Sequence, residues 1–380
     1  MLGVVHGVTP LELLFDLVFV LAFTQVTRVL LDDPTWGGLG QALLILAALW
    51  WAWAAYAWLT NTVDPDEGVV LAAMLVAMAA MFVTALAVPT AFGDHGVLFG
   101  VAFLVVNVMH RALFALAARG DPNLARVVLS LVRSLIPGAG LIILASTAFD
   151  GTARDVLWVL AVILDYGLVL AAGVEGWHVH ARHFAERFGL VMISAFGESI
   201  VAIGVGAEGI ELGLEAVVAA LLAAGVVCAL WWAYFDVVAV VAEERFTAAT
   251  GVAQLKMARD SYALLHLPMI AGVVLFALGV KKVLEHTGDP LKDMPAFALC
   301  GGIALYLLAH VAFRLRNTGT LNVPRIVAGV VCLALIPVAT SVAGVTSLAL
   351  LLAVCVALIG FEAVRYAEAR ARIRAERVGH

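Results

Sequence analysis

Long apolar runs, each near the length a helix needs to cross a bilayer, follow one another along the whole chain and leave little room between them. Nothing else in the sequence restricts the fold as strongly. Hydrocarbon offers backbone N–H and C=O groups no partner, and a helix satisfies them within itself. Gly, Pro and charge clusters punctuate the runs and delimit twelve of them. They cover residues 10–31, 39–60, 68–90, 97–118, 126–148, 155–175, 185–206, 213–241, 256–280, 293–315, 323–341 and 345–366. The longest breaks, 242–256 and 281–293, are too short for a domain. Charged residues make up 13% of the 380 positions, against about 25% in soluble domains. The expected fold is therefore an all-α polytopic membrane protein with about 12 transmembrane helices. Nucleic-acid binding is excluded for all but the short basic tail. No cleavable signal peptide is expected, because the first run is long and opens with acids.

Lys and Arg sort by side of the membrane. Breaks after even-numbered runs and the C-terminus hold fifteen of them, among them Arg119, Arg182, Arg245, Arg314 and Arg370. The other side holds Arg28, Arg154, Lys281, Lys282 and Lys292. The positive-inside rule then puts both termini in the cytoplasm. The arginine-rich tail is expected to anchor on anionic headgroups.

The chain also resembles itself. Ala22-Phe23-Thr24-Gln25 matches Ala195-Phe196-Gly197-Glu198, and Leu49-Trp50-Trp51-Ala52-Trp53 matches Leu230-Trp231-Trp232-Ala233-Tyr234. His110 matches His310, Arg126 matches Arg325, and Ile136-Pro137 matches Ile336-Pro337, all in the same order and at offsets of 173 to 200 residues. This predicts two parallel six-helix repeats, residues 1–180 and 181–366, followed by a basic cytoplasmic tail at 367–380. An even helix number gives both repeats the same orientation, with a pseudo-twofold axis along the membrane normal.

Chemistry is expected where charge lies inside the runs, since a charge at the centre of a membrane helix costs roughly 2.5–3.5 kcal/mol on insertion scales. The run at 183–203 carries His183, Glu186 and Arg187 at its start and Glu198 with Ser199 in its middle. Glu12 and Asp16 stand four apart on the first run and share a face. Asp236 closes an aromatic segment, and His266 precedes Pro268, which frees a carbonyl near position 264. Acids and imidazoles at several depths suit a proton or cation path, or equally a structural network around Arg133 or Arg187. His110 and His310 are expected to pack. The trio His178, His180 and His183 is a weak metal candidate, because His178 and His180 point about 200° apart on a helix and the i, i+4 zinc spacing is missing. The four cysteines lie inside apolar runs and are expected to be buried thiols. No GxSxG, Walker loop or DxxxD pair occurs.

Pro10-Leu11-Glu12-Leu13-Leu14-Phe15-Asp16-Leu17-Val18-Phe19-Val20 with Gln25 resembles the opening signature of the bacterial low-temperature-requirement protein A family. His183-Phe184-Ala185-Glu186-Arg187-Phe188-Gly189-Leu190, followed by Gly197-Glu198-Ser199-Ile200-Val201, is similar to its central signature. Trp231-Trp232-Ala233-Tyr234-Phe235-Asp236 and His266-Leu267-Pro268 agree as well; Leu14 departs, where Phe is usual. The family is named for growth at low temperature. The resemblance implies an integral membrane protein and marks Glu12, Asp16, Gln25, His183, Glu186, Arg187, Glu198, Ser199, Asp236 and His266 as signature residues.

The leading expectation is a secondary transporter or channel that binds a proton, cation or small substrate between the repeats. Its binding residues would be Glu12, Asp16, Gln25, Glu186, Arg187, Glu198, Ser199, Asp236 and His266. A membrane-embedded enzyme acting on lipid or isoprenoid with a carboxylate acid–base pair is one alternative. A structural or sensory protein held by buried ion pairs is the other. Partners are membrane lipids and a small molecule or ion, with a homo-oligomer left open and the cofactor unknown.

Overall fold

The computed structural model describes residues 7–65, 68–119, 121–206, 213–368 and 370–371. Most of the basic tail expected at 367–380 lies outside the described residues. Sixteen α-helices are described, and an isolated bridge between Pro290 and Ala343 is the extended pairing found among the described residues. They are α1 (Pro10–Asp32), α2 (Trp36–Thr60), α3 (Gly68–Ala87), α4 (Gly96–Ala117), α5 (Pro122–Leu135), α6 (Leu141–Ala148), α7 (Gly151–Ala171) and α8 (Ala181–Gly206). They continue with α9 (Leu214–Phe235), α10 (Val238–Ala248), α11 (Gly251–Met257), α12 (His266–Glu285), α13 (Asp293–Thr318), α14 (Val323–Ala334), α15 (Ile336–Ala339) and α16 (Gly344–Arg365).

Among the described residues, ten helical stretches are long and apolar enough to cross a membrane. The chain is thus a multi-pass, helical membrane protein. Two expected runs fall outside the ten. The run at 155–175 forms α7, which carries Arg154, Asp155 and Asp165, and the run at 323–341 forms the shorter stretch Val323–Ala339.

Proline shapes the broken helices. Pro137 has no N–H to donate, and the helix widens into a π-turn at Ile136–Gly140 between α5 and α6. Pro337 follows the break between α14 and α15. A second π-turn, Ala258–Leu264, separates α11 from α12 just upstream of Pro268. The disruption expected near position 264 is there, but its Ala263 carbonyl accepts the Trp50 indole N–H at 2.6 Å.

The chain forms two compact units. Unit 1 comprises Met1–Ser194 with Ala249–Ala263, and unit 2 comprises Ala195–Ala248 with Leu264–His380. Unit 1 is organised on the aromatic face of α2. Trp50 and Trp53 stack at 4.9 Å between ring centres, and Phe188 meets Trp53 edge-on at 4.9 Å. Unit 2 is organised on α12 against α13, which approach through glycine. A Cβ on Gly272 would lie 2.5 Å from the Gly302 carbonyl oxygen, and one on Gly302 would lie 2.7 Å from that of Gly272. Contact this close is how membrane helices gain packing energy without a hydrophobic drive between them.

Candidate functional site

The site in unit 1 begins with the way α1 starts. Thr9-Pro10-Leu11-Glu12 forms a capping box: Thr9 Oγ1 accepts the Glu12 N–H at 3.3 Å, and Glu12 Oε2 accepts the Thr9 N–H at 2.9 Å. Proline at the first helical position suits the turn. The cap fixes Glu12, and Asp16 follows one turn later on the same face.

The N-terminal turns of α8 supply Arg187 and, one turn earlier, His183. Arg187 Nη1 donates to Glu12 Oε1 at 2.6 Å, and Nη2 donates to Asp16 Oδ1 at 2.7 Å. One guanidinium therefore serves two carboxylates. From α2, Trp53 Nε1 donates to Asp16 Oδ1 at 2.8 Å, and Thr60 Oγ1 accepts a second bond from Arg187 Nη1 at 3.0 Å. Glu12 and Arg187 are 0% exposed and Asp16 3%, so water contributes little to their compensation.

His183 completes the cluster, and its protonation follows from Asn61. The Asn61 side chain accepts the His180 N–H through Oδ1 at 2.7 Å and donates through Nδ2 to the Ala57 carbonyl at 3.3 Å. That fixes the amide with Nδ2 toward His183 Nδ1, 2.9 Å away. Nδ1 is then an acceptor, and the ring proton sits on Nε2, which donates to Glu12 Oε2 at 3.1 Å. The imidazole is neutral. Two carboxylates against one guanidinium leave a formal charge of −1, and Asp16 Oδ2 has no hydrogen-bond partner. The arrangement can accept one proton or monovalent cation.

Other expected residues of unit 1 lie apart from this cluster. Glu186 is exposed, although it adjoins Arg187 in sequence, because neighbours on a helix diverge by about 100°. Gln25 is half-buried on α1, about 13 Å along the axis from Asp16. His178 is exposed and faces Asp121 at 3.5 Å, and His180 is also exposed, so the three histidines do not converge. Among the described residues no group of three or more His, Cys, Asp or Glu is placed to hold a metal. Asp165 of α7 is 3.8 Å from Arg111, and Arg133, around which a structural network is one expectation, is exposed. Arg111 is also bonded to the Leu131 carbonyl, Asn107 and Ser134. His110 is buried between Tyr56 and Phe114.

Unit 2 holds the remaining expected residues. Glu198 and Ser199 are buried on α8, with Ser199 Oγ donating to the Ala195 carbonyl at 3.3 Å. Nε2 of His266 is 2.8 Å from the Tyr234 hydroxyl. Asp236 pairs with Arg370, whose guanidinium stacks over Trp232. His310 is wholly buried, and its Nδ1 accepts from Arg325 Nη1 at 2.6 Å.

The sequence profile of the family described as "Bacterial low temperature requirement A protein (LtrA)" matches residues 7–360. The chain belongs to the LtrA family. It is also similar to "Uncharacterized protein RA0937" of Rhizobium meliloti (strain 1021), with 30% identity over 308 residues, 78% of this chain and 74% of that protein.

The LtrA resemblance singled out Glu12, Asp16, His183 and Arg187, and the structure brings these four together. It gave no sign of Trp53, Thr60 or Asn61. A signal for two of them exists: Thr60-Asn61 is a polar pair at the C-terminal end of a 25-residue helix whose last eighteen residues before it are apolar. Trp53 is concealed, because an indole inside an aromatic run reads as packing until the target of its N–H is known.

Proposed function

We propose that this LtrA-family chain is a secondary transporter or channel of the bacterial cytoplasmic membrane. A proton or monovalent cation is taken at the Glu12–Asp16–Arg187–His183 cluster of unit 1, at Asp16 Oδ2. The observation that carries this is the charge imbalance. A buried set with two acids, one arginine and a histidine held neutral by Asn61 is short of one positive charge. A purely structural pair needs no surplus acid, and intramembrane acids of this kind mark ion and proton routes.

Two further observations support the parallel-repeat arrangement on which the twelve-helix reading rests. The internal offset of 173 puts Glu12 level with residue 185, and its partners are residues 183 and 187; Asp16 then meets Arg187. The earlier acid meets His183 and Arg187 and the later one Arg187 alone, which fits two helices of the same orientation. Each half also carries a helix interrupted at Ile-Pro, α5–α6 in one and α14–α15 in the other. Counting α7 and Val323–Ala339 as spans restores twelve, with both termini cytoplasmic by the distribution of Lys and Arg.

The test is proton flux into liposomes holding a pH-sensitive dye, driven by an imposed potassium diffusion potential. Wild type is expected to acidify the lumen faster than empty liposomes, and Asp16→Asn to fall to the empty-liposome rate while remaining folded. Undiminished flux through a folded Asp16→Asn protein overturns the assignment. A second reading, a structural protein held by this cluster, is favoured by the bonds from both Arg187 Nη atoms to the two acids. On that reading wild type carries no flux, and Asp16→Asn loses stability.

A further inference from the structure

Unit 2 contains a cavity of about 260 Å³ that the proposed transport site does not use. It lies where α9, α13 and α16 end, roofed by α10 and the turn that carries Thr320 and Asn322. These helices belong to stretches long enough to span, so their ends fall at the headgroup layer of a bilayer.

Three arginines and two acids line it. Arg325 is occupied: Nε and Nη2 donate to Glu362 Oε1 and Oε2 at 2.9 Å each, and Asn322 holds the same carboxylate at 2.7 Å. Arg370 is paired with Asp236. Arg314 makes no direct ion pair among the described residues, and Glu362, already held by Arg325, feels it only through space. Its Nε donates to Thr320 Oγ1 at 3.2 Å, and its guanidinium lies 5.9 Å from the centre of the Tyr366 ring. The lining thus carries one surplus positive charge, on a group whose two Nη atoms match a phosphate oxyanion. The remaining wall is mostly apolar, with Val238, Val241, Ala242, Phe313 and Ile359 beside the polar Asn317 and Thr318.

We infer that this cavity binds the phosphate of an anionic glycerophospholipid, with Arg314 as the phosphate-binding residue. The volume suits a headgroup with the first carbons of its acyl chains against the apolar wall and the rest of the chains in the bilayer, since it falls below the roughly 300–1,000 Å³ of pockets that enclose a whole ligand. Basic recesses at the ends of membrane helices are the expected place for such headgroups. A soluble phosphate ester offers the same oxyanion, but it would leave the apolar wall uncovered.

The test uses the full chain, purified in detergent and stripped of lipid. Native mass spectrometry and thermal unfolding are followed with added phosphatidylglycerol, phosphatidylcholine, glycerol 3-phosphate and inorganic phosphate. Phosphatidylglycerol is expected to bind and raise the unfolding temperature, and the other three to have little effect. Arg314→Gln is expected to weaken phosphatidylglycerol binding about tenfold or more, the loss of charge-assisted hydrogen bonds. Ala242→Phe, which fills the apolar end without touching a charge, is expected to weaken it too and serves if Arg314→Gln does not fold. Equal binding of both lipids, or unchanged binding in these variants, overturns the inference. Tight binding of glycerol 3-phosphate or inorganic phosphate without a lipid preference overturns the lipid assignment and makes the cavity a soluble-anion site.

Discussion

Arg187 and Asp16 occupy opposite sides of the same charge balance, so replacing them should give opposite results. Arg187 holds Glu12 at 2.6 Å and Asp16 at 2.7 Å in a region closed to water. Arg187→Gln leaves two buried acids with a neutral histidine. Removing one partner of a buried pair costs about 3–5 kcal/mol, and here one substitution breaks two pairs, which places the loss toward about 5 kcal/mol. Asp16→Asn keeps an oxygen for Trp53 and Arg187 while deleting the surplus charge, so its effect should stay within about 1 kcal/mol. The double variant keeps a single acid beside a neutral glutamine and should recover part of the loss, as neighbours with a shared partner do. The assay is equilibrium or thermal unfolding of the four proteins in one detergent. The expected order is Asp16→Asn close to wild type, then the double variant, then Arg187→Gln. If Asp16→Asn proves as damaging as Arg187→Gln, the surplus-charge argument fails.

Two further predictions concern the scaffold. Gly302→Val places side-chain carbons where the Gly272 carbonyl now lies and should abolish folded monodisperse protein, measured by size exclusion of a fluorescent fusion; a well-behaved Gly302→Val would show that α12 and α13 can separate freely. Asp121 lies outside the spans and caps α5, and the N–H groups of Leu124 and Asn123, at 3.2 and 2.8 Å, hold its carboxyl below the usual aspartate range. The stabilisation it gives is present above the ordinary aspartate pKa and is lost as pH falls through the lowered folded-state value. Asp121→Ala should therefore raise hydrogen exchange at the start of α5 at neutral pH and change nothing in strong acid.

The spans were legible because a bilayer demands apolar length, and ten stretches meet that demand. The centre of the site was legible because charge in a membrane helix needs compensation, which pointed to Glu12, Asp16, His183 and Arg187 before any contact was known. What could not be read was direction. Glu186 and Arg187 are adjacent and equally polar, yet one is exposed and the other completely buried; only the packing of α8 against its neighbours decides which turns inward. Arg111 went unnoticed inside α4, although it gathers Asp165, Asn107 and Ser134, because its partners lie on three helices and no local pattern joins them. The run expected at 213–241 continues past a turn at Asp236-Val237 into α10, a break that no Gly or Pro announces.

The late arrival of residues 249–263 in unit 1 has a bearing on how the protein is made. Trp50 leaves the ribosome more than two hundred residues ahead of Ala263, the carbonyl that takes its indole proton. At the usual pace of about 5–20 residues per second, that gap amounts to roughly 10–40 seconds in which the aromatic centre of the first unit waits half-assembled in the bilayer. A fragment ending at Ser194 would remain in that state, so halving the gene between its apparent duplicates should yield no self-sufficient piece.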